Sequence, residues 1–489
     1  MFDKGQETTT PPGETRMPEG SRVSRREFLK VAGLAGAAIG TGGGLGALVV
    51  GCGGEQTTTS TAAAAAATTA TAGATTTTAA PTTTSVSTGP EKGALLKIGF
   101  NSSKTGPYAP FGVANDYAVE RWKEFIGEGV VCGDGKQHPI EILSRDNQSD
   151  SNRAAQIAGD LINNDKVDIM ANNGPPELSV PVAEACEVSG VPCVSNNTPW
   201  QPWFFGRNGD PKVGFKWTYH MFWGLEDIQA NFLDIWTQIP TNKVVGGMWP
   251  NDADGNAWRP AWIQKFGELQ GWTVVDAGAY QNGTEDYTSI ISEFKKKGVE
   301  IVTGVMIPPD FTNFFKQSIQ QGLKYKICTV GKALLFPSSM EAIGDIGINV
   351  TSELWWHPTY PFKSSLTGET GQQLADDFEK RTGNQWTQPL MHYAIMEVVV
   401  DSLKRTTKVG DKEAFIEAVR TTKMDTLSGH IDFTSPVAMG TLHPVPNVYK
   451  TPQCSGQWVK GKKWPYEIVI VGNAAGPGIT VQQKVQTMA

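Results

Sequence analysis

Between residues 95 and 330 the apolar positions keep two alternating rhythms: short runs, and longer stretches with a helical period near 3.6. Leu96-Lys97-Ile98-Gly99-Phe100 reads as a strand, and 117–126 carries a helical stripe. Ile140-Glu141-Ile142-Leu143 is a second strand, followed by a helix over 151–163. A third strand falls at 167–170, a third helix at 176–189, and a fourth strand at 192–194. A second series opens at 243–248 and runs through a helix at 257–269, a strand at 273–275 and a helix at 287–297. It ends with a strand at 301–305, a helix at 311–322 and a strand at 326–330. Repeated strand–helix units predict parallel sheets covered by helices on both faces. Two such series predict an α/β chain of two doubly wound lobes.

Ahead of residue 95 the rhythm changes. Ser24-Arg25-Arg26-Glu27-Phe28-Leu29-Lys30 precedes a mildly apolar, Gly- and Ala-rich stretch from 31 to 50. An arginine pair before such a stretch resembles a twin-arginine export signal, which a receptor reads and which is not part of the fold. The stretch is about long enough to span a bilayer, but its glycines make it a poor membrane helix. Val49-Val50-Gly51-Cys52 resembles the lipobox of bacterial lipoproteins. That resemblance implies cleavage after residue 51 and a lipid anchor on Cys52. The segment 52–94 is nearly all Thr, Ala, Gly and Ser. It has no apolar face to bury and is expected to be a disordered linker, spanning on the order of 35 Å.

Charge and cysteines narrow the class. The whole chain carries −7, and removing 1–51, with six basic and five acidic residues, leaves −8. No basic face points to a nucleic acid. Five cysteines remain after Cys52, namely Cys132, Cys186, Cys193, Cys328 and Cys454. An odd number leaves at least one thiol unpaired, and five buried free thiols are expected. The six histidines form no HxxH or HExxH cluster, and no cysteine pair has zinc spacing. Asp252-Ala253-Asp254-Gly255-Asn256 superficially resembles a calcium loop, yet its glycine is misplaced and no glutamate stands at the twelfth position. No metal and no cofactor is expected.

The segments IGFNSSKTGPYAPFG, EILSRDNQSDSNRAAQIAGDLINNDKVDIM, VPVAEACEVSGVPCVS, DYTSIISEFKKKGVEIV and SGHIDF occur in this order through the region after 95. Their order and spacing resemble the type I periplasmic binding proteins of the branched-chain amino-acid-binding kind. The resemblance implies two lobes joined by a three-strand hinge and closing on a ligand between them. Lobe one would comprise 95–218 and 356–428, and lobe two 219–355 and 429–489, with crossings near Thr218, Trp355 and Gly429. It further implies an extracytoplasmic monomer that binds a small-molecule solute and docks on an ABC transporter permease. Its link to the membrane would be the lipid anchor.

In doubly wound sheets ligands sit beyond the carboxyl ends of the strands. That selects the loops 108–111, 172–175, 196–200, 251–254, 307–310 and 332–334. Within them the candidate ligand-binding residues are Phe111, Asn172, Asn173, Gly174, Asn197, Thr198, Trp200, Asp254, Pro308, Asp310 and Lys332. Phe111 falls where the family puts an aromatic that covers the ligand. Asn173 and Asn197 can each donate and accept, and Gly174-Pro175-Pro176 opens a helix whose amides could hold an anion. The family's amino-acid binders place a carboxylate-binding serine where Pro175 stands, and an ammonium-binding acidic residue near Lys332 and Ala333. Those departures argue against a branched-chain amino acid and leave an amide, an aromatic acid or another small polar or anionic solute. Lys332 would favour an anionic group, or would pair with Asp254 or Asp310 and leave a neutral pocket. Trp200, Trp203, Trp249 and Trp258 either stack on a flat ligand or belong to core packing.

An exported hydrolase would need a nucleophile elbow, a metal set or a carboxylate pair, and the chain has no GxSxG. A ligand sensor for a membrane receptor would share the fold; neighbouring permease and ATPase genes would favour transport. The chain is expected to bind and not to catalyse.

Overall fold

A computed structural model of the chain describes residues 89–438 and 444–488. Arg25, Arg26 and Cys52, with the apolar stretch and most of the Thr/Ala-rich segment, lie outside these residues. The segment expected to be unstructured through 94 is engaged earlier. Gln137 N–H donates to Glu91 O and Gly93 N–H to Gln137 O, each at 2.8 Å.

The first lobe begins with β1 (Leu96–Ser102), α1 (Asn115–Ile126), β2 (Ile140–Asp146), α2 (Ser151–Asn163), β3 (Ile169–Asn172), α3 (Pro176–Ser189), β4 (Cys193–Asn196) and β5 (Thr218–Met221). The helices follow local rules. Asp150 accepts from Arg153 N–H at 2.7 Å and caps α2, while Ala154, Ile157, Ala158 and Leu161 form its buried stripe. Gly190 ends α3 in the left-handed region, at φ +67°.

The chain then crosses to the second lobe: α4 (Leu225–Thr237), β6 (Val244–Pro250), α5 (Ala253–Glu268), β7 (Thr273–Tyr280), α6 (Thr288–Lys297), β8 (Ile301–Met306), α7 (Pro308–Gln320), β9 (Ile327–Lys332), α8 (Pro337–Ile343) and β10 (Thr351–Leu354). It returns for α9 (Gly371–Thr382), α10 (Tyr393–Arg405), α11 (Lys412–Arg420) and β11 (Val448–Tyr449), and finishes in the second lobe with β12 (Gln453–Lys460) and β13 (Tyr466–Ala475).

The first sheet runs β11-β5-β4-β3-β1-β2 and is wholly parallel. The second runs β13-β12-β10-β9-β8-β6-β7, parallel from β7 to β10, with β12 and β13 added antiparallel. In each lobe the first strand lies between the second and the third. Right-handed crossovers therefore put the first helix on one face and the next two on the other. The strand order reverses between β1 and β3 in one lobe and between β6 and β8 in the other, and ligands collect at such points.

The crossings differ from the sequence expectation in two places. Thr218 belongs to a first-lobe strand, so the first crossing follows Met221. The third was placed near Gly429, yet β11 pairs with β5 in the first sheet, so it lies between Tyr449 and Gln453. Backbone pairing decides this, and the short β11 has too little apolar pattern to announce it.

A satellite core lies beside β5, where Trp200, Trp203 and Phe204 meet Val437, Val445 and Val448. Arg207 is buried inside it. Its guanidinium sits 4.6 Å from the Trp203 ring centroid and 3.9 Å from that of Phe215, and donates to Glu184 (3.1 Å), Thr218 Oγ1 (3.0 Å) and Ala183 O (3.2 Å). The five cysteines after Cys52 are buried and unbonded to one another. No helix among the described residues is long and apolar enough to cross a membrane.

Candidate functional site

A cleft opens between the lobes. Its walls come from the carboxyl ends of strands on both sides: Phe111, Pro175 and Asn197 from the first lobe, and Asp254, Lys332 and Glu353 from the second. Phe222, Trp223 and Trp355, on the first two crossings, add to the lining with Trp258 of α5, and Pro176, Pro199, Val305 and Leu335 fill in the rest. Phe111 reaches into the second lobe, edge-on to Phe336 at 4.8 Å and stacked over Trp355 at 6.3 Å.

Lys332 ends β9 with φ +65° and ψ −61°, a backbone state strained for any residue with a Cβ. Its N–H donates to Glu353 Oε1 at 3.0 Å. Its Nζ lies 2.8 Å from Asp254, 3.4 Å from Glu177 and 3.7 Å from Asp252, and 5.1 Å above the Tyr108 ring. Of the two partners foreseen, Asp254 is the one it meets, while Asp310 lies apart and accepts from Gly283 N–H at 3.1 Å. Burial is the largest single influence on Lys332 and lowers its pKa, but Asp252, Asp254 and Glu177 together outweigh it and raise the value well above that of an ordinary lysine. Burial pushes the Glu353 carboxyl up to about 8. Gly331, just before Lys332, is needed without a side chain, since a Cβ there would meet the Trp258 ring at 2.7 Å.

Asn197 is held from below. His392, which burial brings down to about 3 and so keeps neutral, has its Nδ1 2.8 Å from Asn115 Oδ1 and its Nε2 2.9 Å from Asn197 Nδ2. The Asn115 amide donates to Ser102 Oγ at 2.9 Å, which fixes its Oδ1 toward the imidazole. His392 therefore carries its proton on Nδ1 and accepts from Asn197 at Nε2. One N–H of the Asn197 amide is thereby used, leaving its second N–H and its Oδ1.

Among the sequence candidates the structure gathers Phe111, Asn197, Asp254 and Lys332 on the cleft. The rest fall elsewhere. Asn172 bonds Asn101 (3.1 Å) and Ser179 O (2.9 Å), Asn173 lies within bonding reach of Asn101 O and Asn115, and Thr198 Oγ1 donates to Gly174 O at 2.7 Å, all inside the first lobe. Trp200 is buried in the satellite core and donates to Glu226 at 3.1 Å. Pro308 and Asp310 form the first turn of α7, off the cleft lining. The anion-holding helix end expected at 174–176 has prolines at 175 and 176, which lack N–H groups, and Glu177 in its first turn. The calcium-like run is a helix start, where Asp252 Oδ1 accepts from Gly255 N–H at 2.8 Å.

Sequence reasoning missed Glu353, Trp223 and Trp355, which lie at a strand end and on the crossings, and Glu177. It also left Trp258 between two roles; this ring does both, lining the cleft and stacking on Trp262 at 4.5 Å.

A family model described as periplasmic binding protein matches residues 96–445, and the chain belongs to that family. Its fold is similar to the leucine-binding protein LivK of Thermotoga maritima, with 17% identity and TM-score 0.61 over 78% of this chain and 99% of that one. It is also similar to the branched-chain amino-acid transporter substrate-binding protein LivJ of Streptococcus pneumoniae in complex with isoleucine, with 16% identity and TM-score 0.60 over 77% and 99%. A solute-binding protein of an ABC transporter from Rhodopseudomonas palustris, in complex with 3,4-dihydroxybenzoic acid, matches at 18% identity and TM-score 0.62 over 79% and 99%. The type I architecture of two parallel-sheet lobes is thus the fold of this chain, and solute binding is the role of its family.

Proposed function

We propose that the chain is the solute-capturing lipoprotein of an ABC importer. Arg25 and Arg26 direct its export, a lipid on Cys52 holds it at the outer face of the cytoplasmic membrane, and the segment after Cys52 tethers the lobes. It acts as a monomer, binds without chemical turnover, and hands its solute to a permease. The observation that carries this reading is the cleft itself. Both lobes and two crossings supply its walls at the two points of strand-order reversal, so closing the lobes encloses a solute and reshapes the outer face together.

The solute is small and has an apolar or aromatic body. Five aromatic rings line the cleft. A branched-chain amino acid lacks its clamp here, because Pro175 stands where the family's carboxylate-binding serine would be. An anionic head lacks one too, since Lys332 is already surrounded by carboxylates.

A thermal-shift screen of the purified chain against amines, amides, aromatic acids, sugars and amino acids tests the reading. A solute at a hundred times its dissociation constant should add about 2.7 kcal/mol of stability. A response confined to leucine, isoleucine and valine would overturn the solute assignment, and turnover of a bound solute would overturn the binding role.

A further inference from the structure

The polar atoms of the cleft are unevenly matched. Asp254 gives Oδ2 to Lys332 at 2.8 Å, and its Oδ1 is buried with no donor. Glu353 gives Oε1 to the Lys332 N–H at 3.0 Å, and its Oε2 is likewise buried with no donor. Among the described residues these are the two buried carboxylate oxygens left without a partner, and both belong to side chains of the cleft. Asp254 is 4% exposed and Glu353 3%, so water does not satisfy them in bulk. A buried acceptor left empty is costly. Two on one cleft call for a ligand that donates.

The charge balance points the same way. Around the Lys332 ammonium stand three carboxyl groups, Asp252, Asp254 and Glu177, while Glu353 meets its backbone N–H, and no Arg, Ser or Thr lines the cleft to receive an anion. The remaining walls are the rings of Phe111, Phe222, Trp223, Trp258 and Trp355, whose faces attract a cation, together with three prolines and the aliphatic Val305 and Leu335. Unpaired indole N–H groups occur at Trp223, Trp258 and Trp355, but also at Trp203, Trp249, Trp262 and Trp356 away from the lining. They are a general trait of this Trp-rich chain and carry no information about the ligand.

We propose that the cleft takes a small organic cation: a protonated amine without a carboxylate, whose N–H groups donate to Asp254 Oδ1 and Glu353 Oε2 while its apolar or aromatic body lies among the rings. This deepens the solute-capture reading and rests on it. Glu353, held largely protonated near neutrality by burial, gives its proton to solvent as the ammonium enters, so the ligand's charge takes that proton's place. The absence of a carboxylate matches the absence of a group to bind one.

Isothermal titration and thermal shift of the purified full-length chain with matched probes test it: benzylamine, benzyl alcohol and benzoate, then butylamine, butanol and butyrate, with leucine alongside. The amines are expected to bind about 10- to 100-fold more tightly than the alcohols, the factor of a charged over a lost hydrogen bond. Glu353→Gln, which keeps the oxygen that accepts from Lys332, should remove most of that preference at an unchanged fold. Tighter binding of benzoate, butyrate or leucine than of the amines would overturn the ligand class and leave solute capture standing. No response to any probe would overturn both, and an unchanged amine preference in Glu353→Gln would remove Glu353 from the site.

Discussion

Lys332 Nζ lies 2.8 Å from Asp254 in its own lobe and 3.4 Å from Glu177 in the other, so a single ammonium joins the two halves of the molecule. Removing it leaves buried carboxylates without a counter-charge. Lys332→Met should therefore cost about 3–5 kcal/mol at neutral pH, read as a lower urea midpoint. The loss should shrink near pH 4, where the acids take up protons; an equal loss at both pH values would refute the electrostatic account.

Glu353 gives a pH signature. Its carboxyl stands at about 8 in the folded chain against 4.5 for the free group, chiefly through burial. A raised carboxyl favours the fold below pH 4.5, and that contribution is lost as pH rises to about 8. The stability of Glu353→Gln relative to the parent should therefore climb between pH 4.5 and 8 and then level off. Melting temperatures across that range would show it, and a flat difference would not fit.

Phe111 bridges the lobes through Phe336 and Trp355. Two aromatic pairs are worth about 1–3 kcal/mol together, so Phe111→Ala should shift the closed form toward an open one. Small-angle scattering should show a larger radius of gyration without solute and a smaller contraction on adding it.

Arg207 stacks on two rings and donates from three separate nitrogens to Glu184, Thr218 and Ala183, an arrangement a lysine cannot reproduce. Arg207→Lys should lower the melting temperature nearly as much as Arg207→Leu. Because the satellite core stands off the cleft, solute affinity measured below the transition should be unchanged in both.

Cys52→Ser should move the protein from the membrane fraction to the soluble extracytoplasmic fraction. Replacing Arg25 and Arg26 together by lysine should retain it inside the cell. Fractionation with immunoblotting reads both outcomes.

Local chemistry made some elements legible to the residue. The helices Ser151–Asn163 and Pro176–Ser189 begin at an aspartate cap and a proline, and the second ends at a left-handed glycine. Other bounds rest on signals the apolar pattern does not carry. β2 runs on through Ser144, Arg145 and Asp146 because their backbone pairs with β1, whatever their side chains. α5 begins four residues before its apolar stripe because Asp252 caps it in a run that reads as a loop.

The site divides in the same way. Phe111, Asn197, Asp254 and Lys332 follow strands, where topology alone points. Trp223 and Trp355 lie on crossings, and their approach depends on how the lobes meet. Glu177 reads as an ordinary acid in a helix's first turn, which is where the dipole favours one, and nothing local foretells a lysine from 155 positions away.

The short strand β11 has a bearing on how the chain is made. It closes the first lobe's sheet beside β5, with Asn447 donating to Thr218 O from 229 positions away. The lobe that leaves the ribosome first therefore lacks its edge strand and its central helix α10 until nearly all of the chain has been synthesised. Such long-range closure is slow, and a chain threaded through a membrane unfolded would have to complete it outside. The twin-arginine route suggested by Arg25 and Arg26 carries cargo that has already folded, and would let this late step finish in the cytoplasm.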